Sequence, residues 1–139
     1  MVWQYNDGGR AIAGFKGRTG DCVVRAIATA TQRPYREVYD ALFDYARQEK
    51  LKRRRKSPRT GVPKNAIRKY MTALGWQWTP TMQIGSGCKV HLRADELPAG
   101  RLVVYVSRHV VAVIDGVLHD TYDSSRDGER CVYGYWRAS

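Results

Sequence analysis

An α+β fold, with N-terminal helices packed on a C-terminal antiparallel sheet, is predicted by two features of the 139-residue sequence. Apolar residues recur at helical spacing through the first half, and β-branched runs separated by turn signals fill the second. Helices followed by antiparallel strands bury their apolar faces against one another. A chain of this length fits one domain, 1–139, and buries roughly two-thirds of its unfolded surface.

Residues 1–20 are rich in Gly, Arg and Lys, and read as an irregular, flexible arm. Asp21 is a good N-cap residue, and Val23, Ile27 and Ala30 then share one helical face, with Cys22 in the first turn. Pro34 suits the first position of a second helix. Tyr35, Val38, Tyr39, Leu42, Phe43 and Ala46 carry its apolar face to about Glu49, forming a hairpin with the first. Residues 50–62 hold a like-charged block and then turn formers, which predicts an exposed, mobile basic loop. A third helix is expected over 63–74, with Ala66, Ile67, Tyr70, Met71 and Leu74 inward and Gly75 just past its end. Trp76 and Trp78 alternate as in a short strand, and further strands are expected over 102–106, 109–114, 117–122 and 131–136. Asp115-Gly116 is a strong two-residue hairpin signal.

Hydrophobic residues make up 43% and aromatic residues 11%, ordinary for a globular protein, and no apolar run approaches the ~20 residues of a membrane span. The first residues lack the basic start, apolar stretch and cleavage site of a secretory signal. Cys22, Cys88 and Cys131 form an odd set without a close pair, which predicts free thiols in a reducing, cytoplasmic setting. The net charge of +11 draws the protein toward polyanions such as nucleic acid or an acidic protein.

A cysteine in the first turn of a helix has its thiolate stabilised by free amides and by the helix dipole, so Cys22 is the candidate nucleophile. In a two-residue hairpin at Asp115-Gly116, Ile114 faces Val117, which sets His109 opposite Tyr122 and Val111 opposite Asp120. His109 and Asp120 then share a face while His119 and Asp123 point away, so Asp120 is the neighbour able to orient the imidazole. A slip of one residue would select Asp123 instead. Nucleophile, base and orienting acid are the parts that thiol catalysis needs.

The segment Gly20-Asp21-Cys22-Val23-Val24-Arg25-Ala26-Ile27-Ala28, followed by His109-Val110-Val111-Ala112-Val113 and Val117-Leu118-His119-Asp120, resembles the papain-like cysteine peptidase superfamily. About a third of the chain carries the resemblance, with Cys, His and Asp in the family's order. The whole chain also resembles small bacteriophage and prophage proteins that share the Asp-Cys helix and the His-strand hairpin. The likeness implies a papain-like fold, Cys22 as nucleophile, His109 as general base and acid, and Asp120 as the group that holds the imidazole tautomer. It also implies a peptidase or isopeptidase acting on a protein or peptide through an acyl-enzyme, without a cofactor, in the cytoplasm of a bacterial host if phage-encoded. Such enzymes commonly place an oxyanion-hole Gln just before the nucleophile, whereas residues 15–20 here hold no amide side chain. The Cys22 amide, Gln4 and Asn6 are the candidate donors.

Cys88, His91, His119 and Cys131 match no common zinc spacing, so no metal is expected. Lys50, Lys52, Arg53, Arg54, Arg55, Lys56 and Arg59 form a candidate polyanion-binding loop of low sequence readout. A non-catalytic papain-like module engaging nucleic acid or a host protein through this loop is therefore the alternative function. Trp76, Trp78, Tyr133, Tyr135 and Trp136 read as structural aromatics.

Overall fold

Helices form over Cys22–Thr31 (α1), Tyr35–Lys50 (α2) and Lys64–Ala73 (α3) in the computed structural model. Strands form over Trp3–Tyr5 (β1), Trp76–Pro80 (β2), Arg101–Val106 (β3), His109–Ile114 (β4), Val117–Asp120 (β5) and Val132–Ala138 (β6). The structure describes residues 1–15, 21–50, 62–83 and 85–138. No helix among them is long and apolar enough to cross a membrane.

The six strands make one sheet in the order β1-β5-β4-β3-β6-β2, mixed rather than purely antiparallel. β1 runs parallel to β5, and the remaining neighbours are antiparallel. The sheet is also not confined to the C-terminal half, because β1 supplies one of its edges. Part of the segment expected as an irregular arm is therefore an ordered edge strand, with Trp3, Gln4 and Tyr5 in register with Leu118, His119 and Asp120. The like-charged loop over 51–61 lies outside the described residues, as do 16–20.

Asp115 and Gly116 adopt positive φ of 48° and 80°, the backbone of a two-residue hairpin that matches strand twist. Ile114 consequently pairs with Val117, Val113 with Leu118 and Ala112 with His119. This is the register that the sequence predicts. The antiparallel ladder ends at Ala112 and His119, short of Tyr122, and the chain bends after Asp120.

α1 packs on β3, β4 and β5, with Val23, Val24, Ala26, Ile27, Ala28 and Ala30 all buried. Its small residues let it sit between the sheet and α2, whose Tyr35, Val38 and Leu42 join the same core. Truncating a fully buried side chain such as Ile27 to Ala would cost about 2–5 kcal/mol. Phe43, expected inward, is 42% exposed. The opposite sheet face is also covered: Leu92 and Leu97 pack on Leu102, Val104, Val111, Val113 and Leu118. Burial on both faces explains why β3 and β4 are continuously apolar rather than alternating.

Cys88 and Cys131 are joined by a disulfide, their Cα atoms 5.8 Å apart, which corrects the expectation of free thiols. The fold brings them together because Val132 N–H donates to Val90 O and Leu92 N–H to Arg130 O, pinning the segment after the Gly-rich connection to β6. Cys22 is the free cysteine.

Candidate active site

Asp21 makes no side-chain cap to α1, contrary to the N-cap expectation, although its carbonyl accepts the Arg25 N–H at 3.1 Å. Its carboxylate is fully buried and is held by Arg10, 3.2 Å away, by Arg25 and by the Tyr35 hydroxyl. Buried carboxylates require such partners, since an unpaired one would be strongly destabilising. The cluster fixes the start of α1, and with it Cys22.

His109 and the Val110 backbone amide both act on the Cys22 thiol and draw its pKa down. His109 Nε2 lies 2.6 Å from Asp120 Oδ2, which leaves Nδ1 as the nitrogen that serves the thiol. Asp120 in turn accepts from the Ser124 hydroxyl at 2.9 Å and from the Thr121 N–H at 2.7 Å, and its Oδ1 is 3.8 Å from Arg25 Nη2. The His109 and Asp120 side chains are only 8% and 5% exposed. Asp123 is spent elsewhere, accepting from the Ser125 N–H and hydroxyl. Of the two acids weighed from the sequence, the structure pairs Asp120 with His109.

Burial alone would raise the Cys22 pKa, but the His109 hydrogen bond and charge, the Val110 amide and Arg25 outweigh it and hold the thiol below its ordinary value. Burial likewise disfavours the charged imidazole, yet Asp120 and Cys22 push His109 up to about 9. For Asp120, burial is overcome by His109, the Thr121 amide and Ser124, and its carboxyl lies below the usual range. Both shifts run in the direction of a thiolate-imidazolium pair. A thiolate beside a proton-carrying imidazole can attack a carbonyl carbon and supply a proton to the leaving group.

Several supporting groups carry no individual signal in the sequence. Trp3 Nε1–H and the Asn6 N–H both donate to the Asp120 carbonyl, at 3.1 and 2.9 Å, so β1 clamps the strand end that carries the acid. Arg130 donates to the carbonyls of Ser124 and Ser107, tying the Ser124 loop to the turn that precedes His109. The Tyr122 ring sits 5.5 Å from the His109 ring. Arg25 was visible as an i,i+4 partner of Asp21, but its reach to Asp120 depends on the tertiary fold.

Gln4 and Asn6 do not come to the thiol. Asn6 Nδ2 faces His119 Nδ1 at 3.3 Å, and its Oδ1 accepts from the Gly8 N–H and the Thr29 hydroxyl. Thr29 is two helical turns, about 10 Å, along α1 from Cys22. Gln4 lies in register with His119, the ring that Asn6 engages. Burial lowers the His119 pKa, so its neutral ring is free to accept from Asn6. The Cys22 backbone N–H remains the oxyanion candidate.

Of the polyanion candidates, Lys50 ends α2, and Lys52, Arg53, Arg54, Arg55, Lys56 and Arg59 lie outside the described residues. The four residues weighed as a zinc set are otherwise engaged: Cys88 and Cys131 with each other, His119 with Asn6, and His91 with Glu96 at 3.1 Å.

In comparisons with protein-family models, curated proteins and solved structures, nothing matches the chain.

Proposed function

We propose that the protein is a papain-like thiol hydrolase, a peptidase or isopeptidase, working through Cys22, His109 and Asp120. The observation that carries this reading is the His109 imidazole bound by a fully engaged Asp120 carboxylate and coupled electrostatically to the Cys22 thiol. In the reaction, the Cys22 thiolate adds to the substrate carbonyl carbon, and the Cys22 amide stabilises the developing oxyanion. His109 gives its proton to the leaving amine as the C–N bond breaks, leaving a thioester on Cys22. Water then loses a proton to His109 and attacks the thioester, releasing the acid and restoring the thiolate-imidazolium pair. Asp120 holds the ring orientation and stabilises its charge throughout.

Intact-mass analysis during turnover of a peptide p-nitrophenyl ester tests this directly. The expected result is a burst of p-nitrophenol matched by an acyl adduct on Cys22, with both lost in Cys22→Ala. Undiminished hydrolysis by Cys22→Ala would exclude the assignment.

A further inference from the structure

On the helix-facing side of the sheet, a groove of about 720 Å³ runs between α3 and strands β2 and β6. Its wall is aromatic. The Trp78 indole lies against the Gly134 backbone so closely that a Cβ there would stand 2.3 Å from Trp78 Cζ2. Tyr105 meets Trp78 edge-on, with ring centroids 5.1 Å apart, and Trp136 is tilted against it at 5.5 Å. Trp78 and Tyr133 nevertheless remain 40% and 39% exposed. A large aromatic surface that is both fixed and left open has already lost the freedom that a ligand would otherwise have to remove.

The rim is cationic. Lys64 and Arg68 stand one turn apart on α3, both exposed, and among the described residues neither is paired with an acid. Among the described residues, no carboxylate lines the groove. One lining residue, Tyr105, pairs across the ladder with Val110, whose amide acts on the Cys22 thiol.

We infer that this groove is the substrate subsite of the candidate active site, and that it takes an acidic peptide segment bearing an aromatic side chain. The aromatic group lies on Trp78 and Trp136, and the flanking carboxylates meet Lys64 and Arg68. The inference rests on the thiol-hydrolase reading, because continuity with Cys22 is what selects a peptide over a stacked nucleic-acid base.

Three of the protein's four tryptophans, Trp76, Trp78 and Trp136, line the groove, so binding is read by tryptophan fluorescence without any need for turnover. In Cys22→Ala, acetyl-Glu-Phe-Glu-amide should quench saturably and bind about tenfold tighter than acetyl-Lys-Phe-Lys-amide. Arg68→Glu should abolish that preference. Lys89→Glu, the same charge change at an exposed site outside the groove, should preserve it. Equal affinity for the two peptides, saturable quenching by oligothymidylate alone, or indifference to Arg68→Glu would each overturn the inference. Preference for the acidic peptide in a protein that forms no acyl-enzyme would keep the groove and remove the hydrolase reading. An acyl-enzyme with no peptide preference would do the reverse.

Discussion

Arg25 on α1 reaches across the layers to Asp120 on β5, its Nη2 standing 3.8 Å from Oδ1, while the same guanidinium binds Asp21. One side chain thus links the start of the nucleophile's helix to the acid that orients the base. Arg25→Met would leave Asp21 buried with fewer partners and should lower unfolding free energy by about 3 kcal/mol in urea titration. Arg25→Lys, which keeps the charge but not the fork, should recover only part of that loss.

Asp120→Asn should lower hydrolysis about 10³- to 10⁴-fold, since the imidazolium loses its orienting charge. Asp123→Asn should leave the rate within a few-fold, because Asp123 serves only the turn at Ser125. Paired rate measurements on the two variants decide which acid matters. Equal losses would contradict the pairing.

Stability should vary with pH in a direction fixed by His109. Its folded pKa is raised from 6.5 to about 9, so its charged form stabilises the fold fully below about pH 6.5, and that contribution disappears as pH rises toward 9. In the parent protein the lowered Cys22 pKa works in the opposite sense. Cys22→Ala removes this offset. Thermal melting of that variant, in which Asp120 alone raises the His109 pKa, should show a decline as pH rises above about 6.5, on the order of 1 kcal/mol, that is absent from Cys22→Ala/His109→Ala.

Cys88→Ser opens a loop spanning 43 residues and should cost about 2–4 kcal/mol in denaturant unfolding. Cys22 alkylation should be unchanged, since the disulfide pins the sheet face opposite α1. Altered Cys22 reactivity would mean that the pinned segment also shapes the site.

Much of the layout was legible because local signals agreed with the tertiary answer. Val23, Ile27 and Ala30 mark one face of α1, and Asp115-Gly116 sets a register that puts His109 and Asp120 together. What was not legible depends on contacts distant in sequence. β1 is only three residues long and pairs with β5 more than a hundred residues away, so no periodicity betrays it. The sequence distance between Cys88 and Cys131 says nothing of their adjacency, which arises when the segment around Val90 docks on β6. Asp21 has the right type for an N-cap, but Arg10 and Tyr35 arrive from either side and claim its carboxylate. Ser124 reads as an ordinary loop residue, and only burial beside Asp120 gives it a role.

The central claim is that His109 and Cys22 form an activated ion pair, and the pH dependence of Cys22 alkylation tests it most directly. With Cys88 and Cys131 oxidised, Cys22 is the one thiol available to iodoacetamide. Labelling followed by mass spectrometry should proceed rapidly well below pH 8. In His109→Ala the profile should move to higher pH, because the two largest influences that offset burial are lost. Labelling of the parent protein that tracks an unperturbed thiol near pH 9, unchanged by His109→Ala, would contradict the account.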